Sequence, residues 1–173
     1  MTSNKTVADL LAAEIQDLYS FEKQLTKPIP QMAKGSKDST LQAPFTADVN
    51  GIGVQMTRLE QAAEMLGITA GGNMSPGIEG CSKDGAQAFE PKGEDHVFDL
   101  DLIGFGNRVA HYKKITGYTT AITLAQSIGA KDVVSLLKHS LAAEVAASEE
   151  LLFIAASLLN NAAAGARAKA FAV

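Results

Sequence analysis

Along this chain, apolar positions recur every three or four residues over four stretches, the repeat of helices that each bury one face. The first stretch covers about residues 6–34, with Thr2, Ser3 or Thr6 as candidate caps and Asp9 suited to the positive end of a helix dipole. Pro28 and Pro30 interrupt it, but Ile29, Met32 and Ala33 keep the apolar spacing. Either the helix ends near Thr26 or, as this spacing favours, it kinks and carries on. The second stretch covers about 39–66, with Ser39 as cap and Val49, Ile52, Met56, Leu59, Ala63 and Leu66 on one stripe. Gly67 is placed to end it. Gly51 and Gly53 each cost a helix roughly 1 kcal/mol relative to Ala, which predicts close backbone approach by a neighbour. The third stretch covers about 97–128 and ends at Gly129. The fourth starts at Ala130 or Asp132 and runs to the expected stop at Asn160-Asn161.

Between residues 71 and 95 the chain is rich in Gly, Ser and Pro. Ser75-Pro76 can open a short helix that reaches Phe89, with Pro91-Lys92-Gly93 closing it. Helix, helix, long connection, helix, tight turn, helix predicts an all-α, antiparallel four-helix bundle whose crossover carries a short extra helix. The bundle is expected over 1–160, with 161–173 as an Ala-rich, frayed tail. No run alternates apolar and polar residues, so no sheet is expected.

Composition adjusts this picture only slightly. The chain has 173 residues, 46% hydrophobic and 20% charged, with a net charge of −4. That suits one globular domain with a full core. Without a basic run, nucleic acid is not an expected partner. The N-terminal stretch is broken by Asp9 and Glu14, and nothing reaches about 18 uninterrupted apolar residues, so neither a signal peptide nor a membrane span is expected. Cys81 is the single cysteine, which points to a reducing, cytoplasmic setting and an incidental thiol. There is no phosphate-binding loop and no Ser-His-Asp arrangement, so no catalytic residue is expected.

The informative residues are polar ones on apolar stripes. Glu22 shares a stripe with Ile15, Leu18 and Leu25, and Glu144 shares one with Leu137, Leu141, Ser148 and Leu151. A carboxylate in a seam needs a metal, a cation, hydrogen-bond donors or a raised pKa. One carboxylate on each of two bundle helices is how a bundle metal site begins. A satisfied polar core is the simpler outcome.

The opening "DLLAAEIQDLYSFEKQLTKPIPQMAK", together with "GVQMTRLEQAAEMLG", "NRVAHYKKITGYTTAITLAQSIG" and "LLKHSLAAEVAASEELL", resembles the YciE/YciF family of ferritin-like bacterial proteins. The match runs through nearly the whole chain, in order. The resemblance implies a ferritin-like fold, a dinuclear metal site like that of rubrerythrins, and a stress-associated role. Carried over residue by residue, it keeps Glu22 on the first helix. Where the family has Glu-Glu-Thr-His on the second, this chain has Asn50, Gly51, Ile52 and Gly53. For Glu-His-Tyr-Glu on the third it has Ala110, His111, Tyr112 and Lys113. On the fourth it has Ala142, Ala143 and Glu144, then Ser148. Lys113, if turned inward, would bring positive charge to the metal's place, although a lysine chain more often reaches solvent.

The scaffold is thus expected to be kept and the site dismantled: a non-enzymatic, stress-associated bundle with a structural, partner-binding or ligand-binding role. No metal or other cofactor is expected, and Glu22, Glu144 and His111 are the residual metal candidates. His111 reads first as a hydrogen-bonded or exposed helix histidine. Tyr112, Asn50 or one of Thr116, Thr119, Thr120 and Thr123 is expected to donate to the stranded carboxylates or, for the threonines, to bond helix carbonyls. The alternative is a metal-dependent oxidoreductase, holding iron or another divalent metal in a site rebuilt from Glu22, Glu144, His111 and Asp17 or Asp48. Apolar stripes wider than one seam, as in "LLFIAASLL" at 151–159, predict a homodimer or higher homo-oligomer. An unidentified protein or small-molecule partner stays open.

Overall fold

Thr6 starts the first helix, α1 (Val7–Leu25), with a reciprocal cap. Its hydroxyl accepts the Asp9 N–H, and the Asp9 carboxylate accepts the Thr6 N–H. The computed structural model describes residues 6–71 and 94–171. The sequence predicted a kinked helix continuing through the prolines. Instead α1 ends at Leu25 and a separate helix, α2 (Pro28–Gly35), follows a two-residue turn. Thr26 and Lys27 keep right-handed helical dihedrals across that turn. The ladder breaks because Pro28 and Pro30 have no N–H to donate. Ile29 and Met32 are buried, as their spacing predicted.

The next helix, α3 (Ser39–Met65), is capped by Asp38 rather than Ser39: the Asp38 carboxylate accepts the Thr40 N–H at 2.8 Å. Buried Asp99 accepts the N–H groups of Lys37 and Asp38 at 2.8 and 2.7 Å and so ties this turn to the following helix, α4 (Asp95–Val109). The glycine expectation for α3 fails. Neither Gly51 nor Gly53 has a neighbour that an added Cβ would meet. Gly117, in the third stretch, does permit the close helix approach its position suggested: a Cβ there would lie 2.7 Å from Leu18 and 2.9 Å from the Glu14 carboxylate.

The third long segment is three pieces. After α4 the chain makes a π-helical turn over Ala110–Ile115, then continues as α5 (Thr116–Ser127). The last helix, α6, spans Lys131–Phe171. It does not stop at Asn160-Asn161, because Asn costs a helix only a fraction of a kcal/mol and Ala162, Ala163 and Ala164 are strong formers. Gly67 and Gly129 close α3 and α5 with φ of +68° and +75°. Both ends are the same motif. Ile68 and Ala130 donate back to Ala63 and Ala125, and Gly67 and Gly129 donate to Glu64 and Gln126. The expected short crossover helix over 76–89 and Cys81 lie outside the described residues.

α1, α3, the α4–π–α5 unit and α6 form an all-α, ferritin-like four-helix bundle, with no strand among the described residues. The core is two apolar clusters. One gathers Phe21, Leu25, Met32, Phe45, Leu102 and Leu151 with their neighbours; the other gathers Leu11, Ile15, Leu18, Leu59, Ala121 and Leu137. Each long helix also carries a buried polar residue: Glu22, Gln55, Lys114 and Glu144.

Candidate functional site

Each of these polar residues is carried in by an apolar stripe. Leu18, Phe21 and Leu25 turn Glu22 inward from α1, and Ile52 and Leu59 do the same for Gln55 on α3. Val109 and Ala110 on one side, and Tyr118 and Ala121 on the other, hold Lys114 in the core. Leu137 and Leu151 bracket Glu144 on α6.

The Lys114 ammonium is the centre of the cluster. Its Nζ lies 2.7 Å from Glu144 Oε2, 3.5 Å from Glu22 Oε2 and 3.6 Å from Asp48 Oδ1. Lys114 is 2% exposed and Glu22 fully buried, while Asp48 reaches the cluster from a part-exposed position. Three donors fill out the shell. Tyr118 donates its hydroxyl to Glu22 Oε1 at 3.2 Å, and Gln55 donates its side-chain N–H to Glu144 Oε1 at 3.1 Å. Arg58 donates to Gln55 Oε1 at 3.3 Å, which fixes the Gln55 amide so that its N–H faces Glu144. Glu22 Oε2 accepts no hydrogen bond and faces only the ammonium.

The electrostatics follow from one cation facing three anions. Burial pulls the Lys114 pKa down, but Glu22, Glu144 and Asp48 together outweigh burial and hold it well above an ordinary lysine. Each carboxylate has only one ammonium to share. Burial therefore dominates at Glu22 and, against the opposing pull of Lys114, raises its carboxyl to about 8. Glu144 is raised by burial too, with Lys114 opposing through charge and a hydrogen bond. Tyr118 is pushed up by burial and by the two glutamates, so its phenol stays a donor. Burial thus favours the protonated form of Glu22, while Lys114 stays charged and pairs most closely with Glu144.

The expected residues divide around this centre. Glu22 and Glu144 come together in the core as their stripes predicted, and Asp48 joins them. His111 does not: it is exposed, and its Nε2 lies 2.8 Å from the Ser148 hydroxyl, which in turn donates to Asn107 Oδ1 at 2.6 Å. Asp17 pairs with Lys113 instead, Oδ2 to Nζ at 3.3 Å. Tyr112 and Asn50, expected as donors to the carboxylates, are both exposed. The four threonines bond carbonyls of their own helix. The lysine that brings positive charge to the core is Lys114, not Lys113. The signal for it was present in the sequence: Ala110, Lys114, Tyr118, Ala121 and Ala125 are spaced four, four, three and four apart.

A dinuclear metal centre does not fit these residues. Among the described residues no group of three or more His, Cys, Asp or Glu side chains is arranged to hold a metal ion. The three carboxylates that share a centre face an ammonium, at distances of 2.7–3.6 Å rather than the roughly 2.0–2.6 Å of carboxylate–metal bonds. No described helix is long and apolar enough to cross a membrane.

Comparison with known proteins agrees with the fold. The chain is 29% identical to protein YciF of Escherichia coli K12 over 158 residues, 91% of this chain and 95% of YciF. The crystal structure of that stress protein superposes with a TM-score of 0.85 over 90% of this chain and 98% of its own. YcfI of Rhodopseudomonas palustris, at 29% identity, superposes with a TM-score of 0.80 over 87% of this chain and 96% of its own. A Xanthomonas campestris protein at 17% identity shares the fold, with a TM-score of 0.70 over 90% of this chain and 98% of its own. Residues 6–164 match the model of a family described as a domain of unknown function, and the chain accordingly belongs to that family, DUF892.

Proposed function

We propose that this protein is a non-enzymatic, stress-associated bundle whose core is held by an internal ion cluster in place of a metal centre, and that it acts as a structural or partner-binding module. The observation that carries this is the Lys114 ammonium seated among Glu22, Asp48 and Glu144. A cation supplied by the chain meets the need of the seam carboxylates for a counter-charge. The E. coli relative is described as a stress protein, and the Rhodopseudomonas relative is assigned provisionally as a structural protein. The rebuilt oxidoreductase site draws no support from His111 or Asp17, whose partners lie elsewhere. A cytoplasmic setting accords with a chain that has a single cysteine.

The partner best supported is a second copy of the chain. On α6, Val145, Leu152 and Leu159 recur every seven residues and are exposed, and Phe153 beside them is 78% exposed. A heptad stripe is self-complementary across a two-fold axis. Sedimentation at micromolar concentration should give a dimer or larger, and Phe153→Asp should shift it toward monomer. A wild type that is monomeric throughout overturns this part. For the core, metal analysis of protein purified without chelator should give well under one metal per chain. Two metals per chain, with oxygen-dependent turnover, overturns the non-enzymatic assignment.

A further inference from the structure

We infer that Glu22, Asp48 and Glu144 form a cation-binding site which the chain loads with its own Lys114 ammonium, so that the core excludes divalent metals only while that side chain is in place. This rests on the metal-free assignment above and deepens it by naming what the site binds. Three observations carry it. The three carboxylates lie on α1, α3 and α6 and converge on one point, with oxygens 2.7–3.6 Å from Nζ. Glu22 Oε2 is buried without a hydrogen bond and has only that cation before it. The remaining donors are committed to holding the carboxylates: Tyr118 to Glu22 Oε1, and Gln55, oriented by Arg58, to Glu144 Oε1. The shell is thus organised around the ammonium.

The geometry also ranks the occupants. A primary ammonium fits the observed distances without movement. A divalent ion needs oxygens at roughly 2.0–2.6 Å, so the farthest carboxylate, 3.6 Å away, would have to close in by about 1.0–1.6 Å. Lys114→Ala deletes three methylenes and the ammonium, the outline of n-propylammonium, and opens space for that ion directly.

The experiment follows thermal unfolding of wild type and Lys114→Ala with n-propylammonium, with 1-propanol as the neutral control, and with Mn²⁺. Propylammonium should raise the Tm of Lys114→Ala in a saturable way and leave wild type unchanged, while propanol should do neither. Mn²⁺ should stabilise Lys114→Ala and not wild type, and Lys114→Ala/Glu144→Gln should lose both responses. A Lys114→Ala protein indifferent to both cations overturns the inference and leaves the metal-free assignment of the native protein standing. Wild type stabilised by Mn²⁺ as strongly as Lys114→Ala overturns both. If Lys114→Ala fails to fold even with propylammonium while Lys114→Met folds, volume rather than charge was the requirement, and the inference fails.

Discussion

Lys113 and Lys114 are neighbours in sequence with opposite fates. Lys113 lies at the rim, paired with Glu14 at 3.5 Å and Asp17 at 3.3 Å, with its side chain 23% exposed. Lys114 is in the core with three carboxylates around it. At the rim, water screens each charge, so losing a partner leaves nothing stranded. In the core, the lost hydration of every charge must be offset by the others. Removing one member then leaves the rest uncompensated. The two sites use the same pair of residue types, and burial alone makes one replaceable and the other not.

The largest expected effect breaks the buried side of the comparison. Lys114→Ala should cost about 3–5 kcal/mol, as for a buried pair that loses one partner, measured by urea unfolding at pH 8. A loss below about 1 kcal/mol would mean that the carboxylates find water or protons easily and that the cluster is not closed. Next comes the helix contact beside both lysines. Gly117 lets α5 press against Leu18 and against Glu14, the partner of Lys113. Gly117→Ala gains about 1 kcal/mol of helix propensity, but overpacking costs about 1–3 kcal/mol. A small net loss with a weakened Lys113–Glu14 pair is expected. Net stabilisation would show that the helices part without penalty.

The pH dependence of stability separates the two sites further. The Glu22 carboxyl is raised from 4.5 to about 8. Between those values the folded state binds a proton that the unfolded chain releases. The contribution of Glu22 is therefore full below about 4.5 and lost as pH rises through about 8. Lys114, raised above a free lysine's 10.5, keeps its contribution until pH climbs beyond that value. Glu22→Gln mimics the protonated carboxyl and keeps a polar partner for Tyr118. It should change stability least near pH 4.5, where wild type is protonated in both the folded and the unfolded state, and should become the progressively more stable protein from there to pH 9. Urea unfolding across pH 5–9 reads this directly. A variant profile parallel to wild type would assign the titration to Glu144.

The sequence was a good guide to what a helical repeat controls and a poor one to what the π turn controls. Glu22 and Glu144 were placed in the core by their three- and four-residue spacing alone, and both capping glycines were marked by position. Family resemblance aligned Lys113 with a ligand position, but the turn over Ala110–Ile115 is wider than an α turn. Within that turn Lys114 is buried and Lys113 is left half-buried at the rim. The four-residue step from Ala110 to Lys114 to Tyr118 pointed to the same lysine, yet a basic side chain on an apolar stripe is ordinarily read as leaning out to solvent. Asp48 becomes a counter-charge only because Lys114 comes within reach, and a one-dimensional pattern does not hold that contact.

The smallest expected effect tests the rim. Lys113 has two carboxylates within 3.5 Å, and by distance its pairs match those from Lys114 to Glu22 and Asp48. If distance set the strength, the two lysines would be worth similar amounts. Because water reaches Lys113, Lys113→Ala should cost no more than about 1 kcal/mol, and the loss should shrink further in high salt. The same salt series should leave the cost of Lys114→Met nearly unchanged, since the methionine fills the space and the buried charges are little screened. A Lys113→Ala loss that is large and insensitive to salt would place the α1 carboxylates inside the same coupled network as Lys114. The division between rim and core drawn from burial would then be wrong.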